Sequence, residues 1–377
     1  MEERPLMIAS IERQTELTEK QQRVQHFLAE HELDGVWLAR RANFAWFTGG
    51  GDSHVIEDYT QGEAGLLLLR DKNYLITNNI ELRRLCEEET PGLPLVTGTY
   101  PWYDAEQPEK LIRSLVDERR IGADMPWPRT ELIADEFASL RFVLTAAEQR
   151  RFRALCCDCG EILEGIAREV RRGQTERQIA AEIFGQCQRG GITPVVVLVG
   201  ADDRIAQYRH PLPKDNPVHT YAMLVLVGVR GGLQAALTRL VAVDELPPAL
   251  IEKHRAVTQI EATYIHHTRP GRTLGQVLAI GAQAYAAAGY PDEWQKHYQG
   301  GLCGYAPREV ETVPGLDVMV QAYQAAAWLP SISGTKSEDT FLILPDRNEM
   351  LTNTDRWPLL DCVVDGQHYA RPDILRA

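Results

Sequence analysis

A nine-residue phrase occurs twice in this chain, and the repetition limits what the chain can fold into more than any other feature. R-R-G-Q-T-E-R-Q-I at 171–179 and R-P-G-R-T-L-G-Q-V at 269–277 set Gly173 and Gly271 98 residues apart. Thr175/Thr273 and Gln178/Gln276 keep the same offset. Each phrase follows a long helical pattern and precedes a helix that ends in glycine, at Gly190–Gly191 and at Gly289. Glycine ends one helix and threonine caps the next, a device used twice. A chance match of four positions in nine is the competing account. Two similar α/β halves around a pseudo-two-fold axis explain the echo better, and they place a pocket where the halves meet.

The first part of the chain has a different texture. Residues 11–33 read as an amphipathic helix with Leu17, Val24, Phe27 and Leu28 on one side. Short apolar runs follow at 35–39, 64–69 and 72–77, alternating with helix-like segments at 78–89 and 105–117, which predicts α/β layering. A long helix starts near Thr145-Ala-Ala-Glu, a capping-box pattern. A length of 377 residues suits two domains, and the expected division is 1–140 and 141–377.

Charge and cysteine usage narrow the setting. The net charge is −13 and no Lys/Arg run is long enough to track phosphates, so nucleic acid and an anionic membrane surface are not expected partners. No secretory leader and no ~20-residue apolar span stand out. Seven unevenly spread cysteines suit a reducing cytoplasm. Cys156-Cys157-Asp158-Cys159 invites a zinc reading, but without a second Cys/His pair at finger spacing the expectation is buried or half-buried thiols on a helix.

Four phrases in the second half then fall in a telling order: Y-R-H-P (208–211), L-V-L-V-G-V-R-G-G-L-Q-A-A-L-T-R (224–239), H-Y-Q-G-G-L-C-G-Y-A-P-R-E (297–309) and G-T-K-S-E-D-T-F (334–341). In order and spacing they resemble the creatinase, prolidase and aminopeptidase P superfamily. N-F-A-W-F-T-G (43–49) is similar to a segment of its N-terminal domain. The resemblance implies a creatinase-like α/β N-terminal domain and a C-terminal "pita-bread" domain built on an internal repeat. It also implies a site for two divalent metals held by two Asp, one His and two Glu. At those positions this chain has Val225, Ala236, Gln299 and Leu329, and only Glu338 keeps its carboxylate. One carboxylate with one nearby imidazole, His297, supplies too few hard ligands, so no metal and no other cofactor is expected.

What the resemblance keeps is an acid/base set. His210 matches the histidine that handles the proton in creatinase, a metal-free member; Glu309 and Glu338 complete the expected catalytic group. Imidazole titrates near neutrality and a carboxylate beside it raises its basicity. Arg239 and Arg308 are candidates to hold a substrate carboxylate, with His297 and Gln299 beside them. Two glutamates suit a cationic substrate head. Asp52 and His54, after three glycines, are candidates to line a pocket shared across a homodimer. The bland alternatives stay open: a capped turn for His210, an ion pair for Glu309, a strand-end ion pair for Glu338-Asp339 beside Lys336, and a tight loop for Gly300, Gly301 and Gly304. The expected function is a metal-independent hydrolase of a C–N bond in a small nitrogen-containing molecule. A non-catalytic ligand- or peptide-binding protein and an Xaa-Pro peptidase are the alternatives.

Overall fold

The computed structural model describes residues 3–377, with side chains from Arg13 onward. It divides into two compact units, Met1–Glu148 and Gln149–Ala377.

In the first unit, helix α1 (Glu3–Glu30) buries Leu17, Val24, Phe27 and Leu28, the stripe expected from the sequence. The helices α2 (Arg41–Thr48), α3 (Leu82–Arg84), α4 (Gln107–Val116) and α5 (Ala134–Ala138) follow. Strands β1 (Gly35–Arg40), β2 (Gln61–Leu69), β3 (Asn73–Asn78), β4 (Val96–Tyr100), β5 (Ile121–Ala123) and β6 (Glu131–Leu132) make one mixed sheet in the order β4-β3-β2-β1-β5-β6. The apolar runs at 35–39, 64–69 and 72–77 are its central strands, and Leu66 to Leu69 form an unbroken buried stretch. A strand covered on both faces reads as a continuous hydrophobic run.

The second unit shows the repeat in atomic detail. Helix α6 (Ala146–Glu169) opens with the expected capping box: Glu148 N donates to Thr145 Oγ1 at 3.2 Å and Thr145 N to Glu148 Oε2 at 2.7 Å. Helix α7 (Glu176–Arg189) is capped by Thr175 with Gln178, and a short helix α8 (Asp203–Gln207) follows. After α9 (Pro248–His267), α10 (Leu274–Ala287) is capped by Thr273 with Gln276 in the same geometry. Gly173 and Gly271 hold φ of 85° and 91°, which an L side chain rarely adopts. Thr175 bridges Pro217 and Thr273 bridges Met319. Gly173 N donates to Val218 O, and Gly271 N to Val320 O.

Around these helices lie strands β7 (Thr193–Ala201), β8 (Tyr221–Arg230), β9 (Leu233–Ala242), β10 (Gly300–Cys303), β11 (Ala325–Trp328), β12 (Ser331–Ile332), β13 (Thr335–Lys336), β14 (Asp339–Ile343), β15 (Asn348–Met350), β16 (Leu359–Val364), β17 (Gln367–Pro372) and β18 (Leu375–Arg376). One sheet runs β18-β9-β8-β7 and another β10-β11-β14-β15; β12-β13 and β16-β17 are separate hairpins. The mixed α/β, two-domain architecture expected from the sequence is present.

One local expectation needs correction, and one open alternative closes. Cys156 and Cys159 are buried on α6, where burial pushes both thiols well up, but Cys157 is exposed because it turns to the other side of the helix. Gly300 and Gly301 are strand residues, not a loop; a Cβ at Gly300 would stand 2.2 Å from Ala327 O and one at Gly301 2.4 Å from Val310 O. Among the described residues no helix is long and apolar enough to cross a membrane.

Candidate functional site

The site starts from hydrogen bonds that join β9 to the chain entering β14. Thr238 N donates to Glu338 O at 3.0 Å, Ala236 N to Thr340 Oγ1 at 3.0 Å, and Thr340 Oγ1 back to Ala236 O at 2.8 Å. Along a strand, residues two apart share a face, so Ala236 and Thr238 lie on one side of β9. Opposite them on β8 stand Val227 and Val225, with Val225 and Ala236 buried.

Glu338 sits in this junction, 2% exposed. Its Oε2 accepts from Lys336 Nζ at 2.7 Å and Thr238 Oγ1 at 2.8 Å; its Oε1 accepts from Arg308 Nη2 at 3.1 Å. Burial opposes ionisation, yet the Lys336 and Arg308 cations and the hydrogen bonds from Lys336 and Thr238 prevail and hold Glu338 at about 2. Burial pulls the Lys336 ammonium below its usual range, with Glu338 acting against that. The result is one carboxylate with a side-chain cation on each oxygen.

Lys336 belongs to a tight hairpin, turning at Ser333-Gly334, in which Ser331 pairs across from Lys336. The pair serves two neighbours at once. Ser331 Oγ lies 3.0 Å from His297 Nδ1, and His297 Nε2 lies 3.0 Å from His210 Nε2. Burial, then the Lys336 charge and a charged His210, drive His297 down to about 2; burial, Lys336 and Arg308 lower His210 despite Glu338. Both imidazoles are therefore neutral at pH 7. They line a cavity of about 450 Å³ together with Arg209, Trp294, Tyr298 and Gln299. The Arg308 guanidinium lies 5.7 Å from the Tyr298 ring centroid, and Tyr298 in turn 5.8 Å from the His210 ring.

The sequence-derived candidates divide on this geometry. His210, His297 and Gln299 share the cavity; Arg308 and Glu338 are joined to them through the Lys336 hairpin. The expected carboxylate neighbour of His210 is replaced by an imidazole, because Glu338 is held by Lys336, Thr238 and Arg308. Glu309 turns its Oε1 to the Tyr305 N–H at 2.8 Å, bracing its own loop. Arg239 is fully buried, with Nε on Glu164, Nη1 on Asp339 and the Thr238 carbonyl, and Nη2 on the Thr352 carbonyl. In these contacts Arg239 ties β9 to Glu164, Asp339 and Thr352. Gln299 is fixed by donation to the Trp294 and His297 carbonyls and by the Tyr285 hydroxyl on its Oε1. Asp52 and His54 lie in the first unit, in an ion cluster: His54 Nδ1 to Asp52 Oδ2 at 2.7 Å, His54 Nε2 to Glu57 Oε1 at 2.9 Å, and Arg41 beside both acids.

Sequence reasoning passed over Lys336 and Ser331 as functional residues. Their signal was present: Ser-Gly between S-I and T-K marks a hairpin that sets 331 against 336. Among the described residues, the group of three His/Cys/Asp/Glu donors close enough to share a metal ion is His266, His267 and Asp365, none of which lines the cavity.

Comparison with known proteins follows the same lines. The profile of metallopeptidase family M24 matches residues 150–343, and that of the creatinase/prolidase N-terminal domain matches residues 20–155. An Xaa-Pro dipeptidase of Pyrococcus horikoshii is 20% identical over 352 residues, covering 90% of this chain and 98% of its own length. Among solved structures, the prolidase from Pyrococcus horikoshii OT3 superposes with a TM-score of 0.77 at 17% identity, over 90% of this chain and 99% of that one. The X-Pro aminopeptidase from Thermotoga maritima MSB8 gives 0.76 at 16% identity, over 95% and 99%. The M24 profile spans half of the sequence on the unit that holds the His210–His297 cavity, with the creatinase-type domain before it, and the chain belongs to metallopeptidase family M24.

Proposed function

We propose that this chain is a metal-independent hydrolase that cleaves a C–N bond in a small nitrogen-containing molecule bearing a carboxylate. The observation that carries the proposal is the pairing of both Glu338 oxygens with side-chain cations, Lys336 and Arg308. A divalent pair needs those lone pairs and more anionic ligands beside them. Val225, Ala236, Gln299 and Leu329, at the positions the resemblance reads as ligands, add no carboxylate or imidazole. The residues present do not fit a dinuclear centre.

The imidazole chain supplies the acid/base chemistry. Two Nε2 atoms 3.0 Å apart need one donor and one acceptor. With His297 Nδ1–H donating to Ser331 Oγ, His297 Nε2 accepts from His210 Nε2–H. His210 Nδ1 then keeps a lone pair. It takes a proton from the attacking water as the oxygen bonds to the substrate carbon, and returns it to the leaving nitrogen as the C–N bond breaks. Of the two substrate groups expected from the sequence, a carboxylate and a cationic head, two cations against one carboxylate around Glu338 favour the carboxylate.

The test joins metal analysis of chelator-free protein with a thermal-shift and turnover screen of guanidino acids, N-carbamoyl amino acids, lactams and proline dipeptides. Metal-free turnover of one compound, abolished by His210→Ala, supports the proposal. Near-stoichiometric manganese, cobalt or zinc with cleavage of a proline dipeptide would overturn it in favour of the activity named for the Pyrococcus relative. We further propose a homodimer in a reducing cytoplasm, in keeping with seven unpaired cysteines; light scattering at the monomer mass would refute the dimer.

A further inference from the structure

We propose that the first unit carries a binding site for a compact organic cation of the alkylammonium class, walled by Trp37, Tyr100 and Trp127 and charged by Glu63. These residues line a cavity of about 240 Å³ on one face of the sheet. The strand register puts them there. Glu63, Gly65, Leu67 and Leu69 alternate onto one face of β2, and Leu67 and Leu69 pack with Trp37, Tyr100 and Trp127. Glu63 therefore points to the side that holds the aromatic rings.

Gly65 is what makes room. A Cβ there would stand 2.1 Å from Trp37 Cη2, so the absent side chain lets the indole lie across the sheet. Trp37 and Trp127 rings are 5.5 Å apart at 54°, two tilted walls rather than a closed stack. Tyr100 is the third wall and lines the cavity together with Glu63; burial and then the Glu63 charge raise its phenol.

The carboxylate of this cavity lacks a cation partner. Among the described residues no lysine, arginine or histidine forms an ion pair with the half-buried Glu63 carboxylate, although its backbone is fixed by the Ser53 carbonyl and the Thr77 hydroxyl. Trp37 is 5% exposed, so its ring is held fixed against the sheet. A carboxylate among aromatic faces attracts a weakly hydrated cation, since the ring faces and the acid carry the same sign of charge. The cavity of about 240 Å³ has room for a trimethylammonium head carried by a small molecule.

The experiment titrates the full chain with tetramethylammonium chloride and with trimethylglycine by calorimetry and tryptophan fluorescence, at constant ionic strength, against the neutral isostere neopentyl alcohol. Saturable binding of the cations, at least about tenfold tighter than the alcohol, is the expected result. Glu63→Gln should weaken it by about tenfold while leaving the circular dichroism unchanged. Trp127→Ala should abolish it, and Trp127→Phe should restore most of it. Equal binding of alcohol and cation, an unaffected Glu63→Gln, or no saturable response would overturn the proposal. So would binding of a trimethyllysine peptide without binding of the free cations.

Discussion

His210 Nε2 and His297 Nε2 face each other at 3.0 Å, so two imidazoles share one proton. Charging both would set two N–H donors against each other with no acceptor between them. Lys336 adds its own positive charge to that repulsion for each ring. A base must be unprotonated to act, and this arrangement shifts the pair toward its neutral form.

The first prediction concerns that neutrality. In NMR titration of imidazole Cε1–H signals, the His210 midpoint should lie below the ~6.5 of an unperturbed histidine. Lys336→Met removes a cation that lowers it, and leaves the Glu338 charge that raises it, so the midpoint should move up. A midpoint that falls or stays fixed in Lys336→Met would show that the Lys336 charge does not reach the pair.

Stability should carry the same signature. The folded pKa of His297 is depressed to about 2, against ~6.5 unfolded. Between those values the unfolded chain binds a proton the folded chain refuses. Stability is therefore full above pH ~6.5 and falls as pH drops, by at most about 1.4 kcal/mol per pH unit for this group. Glu338, also near 2, adds its loss only below its usual range near 4.5. Urea melts from pH 7.5 to 5 should show the decline, and His297→Gln should flatten it in that window. An equal slope in the variant would place the proton uptake elsewhere.

The cation–carboxylate triad predicts an order of damage. Removing Glu338 leaves Lys336 and Arg308 as neighbouring cations, whereas removing Lys336 leaves the Arg308–Glu338 pair intact. Glu338→Gln should cost about 3–5 kcal/mol and Lys336→Met less. Urea midpoints with unchanged m-values would measure both. Lys336→Met proving the more damaging of the two would mean that Arg308 does not anchor the carboxylate.

Much of this architecture was legible because it is local. Gly173-x-Thr175 and Gly271-x-Thr273 announce helix end and helix cap within a few residues, and both caps form as read. The apolar runs became strands for the same reason. The candidate residues could be named from the sequence, but their partners could not. Glu309, Arg239 and Glu338 look alike as charged residues near glycine-rich or strand sequence, yet one braces a loop, one is sealed in a buried ion network, and one is held between two cations. Those differences arise where β9, the β12–β13 hairpin and the segment before β14 meet, through pairings up to 104 residues apart. The charge around a pocket is set by such long-range pairing, which a local reading of the sequence does not supply.

The repeat itself yields the last prediction. Thr175 Oγ1 accepts from Gln178 N at 3.2 Å while Gln178 Oε1 accepts from Thr175 N at 2.9 Å; at the second copy the distances are 3.3 Å and 3.0 Å. Each threonine also bridges the returning chain, at Pro217 and Met319. Equal geometry implies equal energy, so Thr175→Ala and Thr273→Ala should each cost about 1 kcal/mol. The two sites share no partner, so the double variant should cost the sum to within about 0.5 kcal/mol. Thr→Ser at either position keeps the accepting oxygen and should recover most of the loss. Hydrogen exchange would localise the effect, with faster exchange at the Gln178 amide in one variant and at the Gln276 amide in the other. A large cost at one copy and none at the other would show that one half carries the fold while its echo only resembles it.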